Sequence, residues 1–408
     1  MNNINSQLAL DPQYEVSFIT NSFDNNQINY TDSAGGKHTF QNREQFVQFL
    51  QEQGIKIDVV HAHSWHLSDH YKPFHTGKDS MDLSTFLKEL GSPKFIYTNH
   101  SNPTEDLRKI QKFHGNLDYS QLSESEKHKF LQANRLDSFG SSYDWQPRWE
   151  ATTILCKEQI MKLADAITYV SATQMHEEEQ MIPYYSFGHK AEVIMNGVDI
   201  GKYNTPETHA RAAELREELG IGRDEKVVLY AGRMDEEKGI YELATASERL
   251  SEAGEKITLV YLGTNGDEFI KQTIRTAAPD VDILFPERIS REERQKMAAM
   301  YAMADVVAQP TWGECFNQII AEALAMGTPA VVSDYSAPGE IYVKPGAALG
   351  SQVRNPEDLA EKLSLLLNEE SVRASITGKG KELIDRHLNV ESMGRQYMNL
   401  YATLTKNN

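Results

Sequence analysis

Two glutamates, Glu314 and Glu322, stand in the stretch 310–334, which runs Pro-Thr-Trp-Gly-Glu-Cys-Phe-Asn-Gln-Ile-Ile-Ala-Glu-Ala-Leu-Ala-Met-Gly-Thr-Pro-Ala-Val-Val-Ser-Asp. The stretch reads as a strand end, a tight loop, a short helix and a second strand. Phe316, Ile319, Ile320, Ala323 and Leu324 follow the spacing of a helix buried on one face. Glu322 falls off that face, so packing does not call for an acid there. Eight helical residues span roughly 12 Å at 1.5 Å each, about the reach of a nucleotide-sugar from ribose to hexose. Between the two acids lies a helix N-terminus, whose free N–H groups and positive dipole end suit phosphate. Sugar, pyrophosphate and ribose can therefore lie in line along this stretch.

The chain has 408 residues, enough for two or three domains with their own cores. Charged residues make up 25% and hydrophobic ones 40%, a globular composition. The net charge of −18 disfavours nucleic acid and anionic membrane surfaces as partners, leaving at most a peripheral membrane contact. No apolar run reaches bilayer length, and the first ten residues lack a basic-then-apolar export pattern. Cys156 and Cys315 are too few and too scattered for a disulfide framework or a zinc knuckle. These features point to the cytoplasm.

Elements that position the acids follow from apolar patterning. Strands are expected at 14–20, 58–63, 94–100, 166–171 and 191–195, with a hairpin turn at 34–36 and helices at 43–53 and 151–164. The charged, aromatic run 103–149 holds helices and long loops. Residues 200–224 read as a connector. Beyond them strand and helix alternate more regularly: strands at 227–231, 257–262, 281–285, 305–309 and 329–333, helices at 240–253, 267–277, 291–304, 356–367, 370–386 and 390–404. Ser290 and Glu293 form a capping box, and Asn355 caps a helix with Pro356 at its first position. The fold class is α/β, with domains 1–200 and 201–390 and a closing helix, 391–408, packing back on the first. In open parallel sheets ligands bind at the carboxyl ends of strands. Arg233, Glu314, His63 and His100 all fall there, which favours an active site between the halves. His61, His63 and His66 lack the further acid or cysteine that a zinc site would need, so no metal is assigned.

These residues carry a resemblance. Gly232-Arg233 with Lys238, the Glu314/Glu322 pair and the following Ala-Leu-Ala-Met-Gly-Thr-Pro-Ala-Val-Val resemble the retaining glycosyltransferases of the GT-B fold, family four, the glycogen-synthase and sucrose-synthase-like group. Weaker matches are Asp58-Val-Val-His-Ala-His, Thr98-Asn-His-Ser, Ala164-Asp-Ala-Ile-Thr-Tyr-Val-Ser and Asn196-Gly-Val-Asp. They cover nearly the whole chain in order, most specifically in its second half.

The resemblance implies two Rossmann-like domains facing across a cleft. It implies transfer of a hexosyl group, with retention, from a nucleoside-diphosphate sugar to a sugar or glycan acceptor. The donor is a co-substrate, UDP-linked by preference, and no cofactor or metal is implied. Arg233 and Lys238 would hold the pyrophosphate, with the backbone N–H groups of Phe316 and Asn317 near its distal end or the sugar. Glu322 would take the ribose hydroxyls, and Glu314 the hydroxyls of the donor sugar. His100 would contact the reacting sugar, the base would lie near Arg288 and Ile289, and His63 would face the acceptor side. Two departures stand out. The strand at 14–20 resembles the family's second strand, so the first strand and its glycine loop are missing from the pattern. Asn317 stands where the family often has glycine. The first departure keeps a second function open, a nucleotide-sugar-binding protein of the same fold with weak or no transfer.

Overall fold

The computed structural model describes residues 18–22, 27–32, 34, 36–41, 43–64, 87–100, 123, 161–181, 190–222, 224–264, 266–290 and 293–406. The run 103–149, apart from Ser123, and most of the helix expected at 151–164 lie outside them. The chain divides into two compact units, Met1–Ile194 with Gly394–Asn408, and Met195–Met393.

In the first unit β1 (Phe18–Ser22), β2 (Gln27–Thr31) and β3 (Lys37–Phe40) form an antiparallel sheet in that order. The turn expected at 34–36 joins β2 to β3. The Asp32 carboxylate accepts from the N–H groups of Ala34 and Gly36, at 3.0 and 2.7 Å. Helix α1 (Arg43–Glu52) follows, with Phe46 and Leu50 packed on Tyr30. Next come β4 (Val59–Ser64), β5 (Lys94–Asn99), β6 (Ala166–Tyr169), α2 (Ala172–Met181) and β7 (Ala191–Val193). These four strands form a parallel sheet in the order β4-β5-β6-β7. β5 and β6 are buried nearly throughout, as both-sided burial of a parallel sheet requires.

The strand expected at 14–20 does not extend that sheet. Its described part lies in β1, paired antiparallel to β2, and among the described residues β4 pairs only with β5. β1 pairs with β2, the next strand in the chain, and β2 with β3, so short-range antiparallel pairing replaces the parallel crossover the resemblance implied.

The second unit holds a helical turn (Ile200–Tyr203), α3 (Pro206–Glu218), β8 (Lys226–Arg233), α4 (Ile240–Glu252), β9 (Ile257–Thr264), α5 (Glu268–Ala277) and β10 (Asp282–Leu284). It continues through α6 (Arg294–Met303), β11 (Val306–Gln309), α7 (Gln318–Ala325), β12 (Ala330–Ser333), β13 (Leu349–Ser351), α8 (Pro356–Asn368) and α9 (Glu370–Arg386), and α10 (Val390–Thr405) closes the chain. Six parallel strands lie in the order β10-β9-β8-β11-β12-β13. Val228, Leu259, Val306 and Val331 from the strands pack with Leu243 and Leu363 from the helices in one core.

Residues 200–224 are not a connector: α3 spans thirteen of them. Thr205 caps it through the Thr208 N–H and proline follows at its first position. β13 and the helical turns Ser336–Pro338 and Gly339–Val343 also had no counterpart in the sequence pattern. At α6 the Glu293 carboxylate accepts from the Ser290 N–H at 2.8 Å, one half of the capping box, and the helix begins at Arg294. Asn355 caps α8 as its type suggests.

The last residues of α10 belong to the first unit. Tyr401 and Thr98 each meet a ring nitrogen of His61 at 2.6 Å, and the Tyr397 hydroxyl lies 3.2 and 3.3 Å from those of Thr98 and Thr168. Burial, and secondarily the charge of His100, pushes the His61 imidazole down to about 3. It is therefore a neutral packing histidine bound to two hydroxyls.

Candidate functional site

In the second unit β8 sits between β9, which follows it in the chain, and β11, which follows later. The chain runs outward from β8 through β9 to β10 and then returns to place β11 on the other side of β8, so the β8 and β11 ends flank a topological switch point, where open α/β sheets bind ligands. Arg233 is the last residue of β8, Lys238 ends the short turn Glu236–Lys238, and Glu314 follows β11.

The two loops are fastened together. The Trp312 N–H donates to the Glu237 carbonyl at 2.9 Å, and the Thr311 hydroxyl reaches the same carbonyl at 3.3 Å. Gly239 has φ +73°, and a Cβ there would stand 2.1 Å from the Pro310 carbonyl oxygen. Only glycine allows this backbone approach. As a result Lys238 Nζ lies 3.0 Å from Glu314 Oε2, with both side chains mostly buried. Arg233 pairs with Asp235 at 2.5 Å and Glu237 at 3.5 Å and is more exposed. The sequence candidates Lys238 and Glu314 are thus in direct contact, with Arg233 on the same loop.

Glu322 is placed differently from the sequence expectation. It is not off the packed face but buried, only 6% exposed. α7 packs on α6, α9, β11 and β12, so Ile320, Ala321, Ala323 and Leu324 are buried with it. An acid in that setting requires partners. The Tyr301 hydroxyl donates to Oε2 at 2.8 Å, and Arg294 stands 3.4 Å from Oε1. Arg294 also pairs with Asp199 at 2.7 Å, and Asp199 with Lys202 at 2.8 Å. Burial raises the Glu322 carboxyl above its ordinary value, against the opposing pull of Arg294 and Tyr301. Asp199 is held low: burial opposes this, but the Lys202 hydrogen bond and the Arg294 charge outweigh it.

Asn317 precedes α7 with φ +65°, the left-handed conformation asparagine tolerates better than most residues, and its side chain makes no capping hydrogen bond. The Tyr342 hydroxyl donates to its carbonyl at 3.2 Å, and the buried Phe316 ring meets Tyr342 edge-on at 6.0 Å. Arg288 and Ile289 lie in the segment after β10; Arg288 is exposed and makes no ion pair among the described residues. His100 follows β5 in the first unit, where burial pushes its imidazole down to about 4, leaving it neutral near pH 7. His63 lies in β4 by its backbone, opposite Thr98, and its side chain is outside the described residues.

Sequence reasoning missed Arg294 and Tyr301. A signal existed for Tyr301: a tyrosine buried in a helix requires a partner for its hydroxyl. Arg294 lies 28 positions from Glu322 and had no local signal.

Residues 212–383 match the family described as glycosyl transferases group 1. The match spans 172 of the 408 residues and lies within the second unit. The two parallel-sheet units are those of the GT-B fold. A D-inositol 3-phosphate glycosyltransferase of Xylanimonas cellulosilytica is 28% identical over 264 residues, 62% of this chain and 60% of that protein. The matched part thus spans under two thirds of that relative. Sucrose-phosphate synthase from Thermosynechococcus elongatus superposes with TM-score 0.63 at 18% identity, covering 90% of this chain and 78% of that one. Anabaena HepE, solved in complex with UDP and glucose, superposes with TM-score 0.60 at 16% identity, covering 88% and 81%. At these identities the two structures bear on the fold.

Proposed function

We propose that this chain is a glycosyltransferase that moves a hexosyl group from a nucleoside-diphosphate sugar, UDP-linked by preference, to a sugar or glycan acceptor, with retention and without a metal. The observation that carries it is the Lys238–Glu314 contact at the switch point, with the buried acid Glu322 one short helix away. Arg233 and Lys238 bind the pyrophosphate and stabilise the charge that builds on it as the glycosidic bond breaks. In doing so Lys238 exchanges Glu314 for phosphate, freeing that carboxylate for sugar hydroxyls. Glu322 takes the ribose hydroxyls on lone pairs that Tyr301 and Arg294 leave open. The N–H groups at Phe316 and Asn317 face the distal phosphate, and Arg288 and Ile289 lie by the base. In the first unit neutral His100 contacts the transferred sugar and His63 serves the acceptor. Preference for UDP is supported by the HepE structure with UDP and glucose. Among the described residues no helix is long and apolar enough to cross a membrane. Cytoplasmic placement and a water-soluble acceptor belong to the proposal, supported by the net charge of −18.

A second reading, a nucleotide-sugar-binding protein without transfer, is favoured by one observation: the described N-terminal strand stands outside the parallel sheet. Incubation with UDP-, ADP- and GDP-hexoses and a panel of sugar acceptors separates the two. Transfer predicts acceptor-dependent release of nucleotide from at least one donor. Tight nucleotide binding with no release from any pair would favour the second reading.

A further inference from the structure

Among the described residues four non-glycine residues have positive φ: Ser92, Asn317, Ser336 and Arg354. Three of them converge on one loop, 312–317. Asn317, at φ +65°, ends it. Arg354, at φ +58°, stacks its guanidinium 3.7 Å over the Trp312 ring. Ser336, at φ +61°, donates its hydroxyl to the Glu314 carbonyl at 2.9 Å. Left-handed backbone costs free energy for any residue with a Cβ, and such residues gather at functional sites. Glycine would adopt the conformation freely. What glycine lacks at 336 is the hydroxyl, and that hydroxyl holds the backbone of Glu314 while Lys238 holds its carboxylate.

We propose that Ser336 is a positioning residue for the donor sugar, fixing the backbone of Glu314 so that its carboxylate meets the sugar hydroxyls. This rests on the donor-site reading above. Ser336 touches neither nucleotide nor phosphate in that reading, so its effect is confined to the sugar and to turnover. It stands beyond the end of β12, in a turn where Gly339 presses on the Asp334 carbonyl, 2.1 Å from where its Cβ would stand. The turn is therefore closely packed against its own strand end, a firm anchor for the loop.

Ser336→Gly is the test, because it keeps the backbone conformation and removes only the hydroxyl. The affinity of UDP and of each UDP-hexose is measured by calorimetry for the full chain and the variant, with melting temperature alongside. For the hexose the parent binds best relative to UDP, the variant should lose about tenfold or more of that preference. It should bind UDP as the parent does and melt within a few degrees of it. Ser336→Ala, which keeps the backbone demand and lacks the hydroxyl, should lose the same preference. An unchanged sugar preference in Ser336→Gly would overturn the proposal, even if stability changed. Failure of the parent to bind UDP, ADP or GDP would instead overturn the donor-site reading, and Ser336's role with it.

Discussion

Gly239→Ala destabilises the second unit and abolishes most donor binding. The new Cβ stands 2.1 Å from the Pro310 carbonyl oxygen and 2.8 Å from its carbon, and the backbone at φ +73° disfavours a side chain in any case. Neither neighbour is a flexible side-chain end, so the two loops must part. Parting them breaks the Trp312–Glu237 and Thr311–Glu237 hydrogen bonds and separates Lys238 from Glu314. The combined cost is on the order of 3 kcal/mol, which lowers the melting temperature by roughly 6–12 °C for a domain of this size. Gly254→Ala supplies the control. Gly254 has φ +92° and nothing within 4 Å of where a Cβ would stand, so only the backbone cost applies. It should cost about 1–2 kcal/mol and leave donor binding intact. Thermal denaturation and nucleotide titration of both variants check the pair.

Arg294→Met makes stability fall with rising pH. Glu322 already has a raised carboxyl, so the folded state holds its proton more tightly than the unfolded chain. Between the ordinary value of 4.5 and the raised one, the folded state binds more protons, and stability declines as pH rises through that window. Arg294 opposes this by favouring the ionised form. Its removal pushes the carboxyl higher, widens the window upward and deepens the loss. Breaking a fully buried pair costs about 3–5 kcal/mol. The Arg294 side chain is 34% exposed, so about 2 kcal/mol at pH 7.5 is the better figure after allowing for solvent screening. Urea midpoints at pH 5 and pH 7.5 measure it. The variant should approach the parent at pH 5 and fall behind at pH 7.5. Adding Glu322→Gln to Arg294→Met should restore most of the loss, since an amide carries no charge to strand.

The second unit was the more legible one because its strands are buried on both faces. Runs such as 227–231 and 330–332 are apolar without a break, and short αβ loops leave little room for misplacing them. Helix α3 escaped notice because its buried side is thin, Thr208, Ala212 and Leu215, although its cap and first-turn proline were in plain sight. Glu314 and Lys238 were found from loop position and resemblance, and they touch. Glu322 was found for the same reasons, but its setting was misjudged. A single helix period assumes one wet face, whereas α7 is covered by α6 and α9 as well as by the sheet. The partners that resolve its charge, Arg294 and Tyr301, come from α6, and such long-range pairings leave no periodic trace. At the N-terminus, strand propensity identified β1, but propensity does not choose a partner. The adjacent hairpin took it.

In the proposed donor site the β8 and β11 ends bind a nucleoside diphosphate through Lys238 and Glu322. Calorimetric titration of the chain with UDP, ADP and GDP tests it most directly, repeated on Lys238→Gln and Glu322→Gln. One of the three nucleotides should bind, and each substitution should weaken that binding by tenfold or more. Binding of equal strength in both variants, or no binding of any of the three, would contradict it.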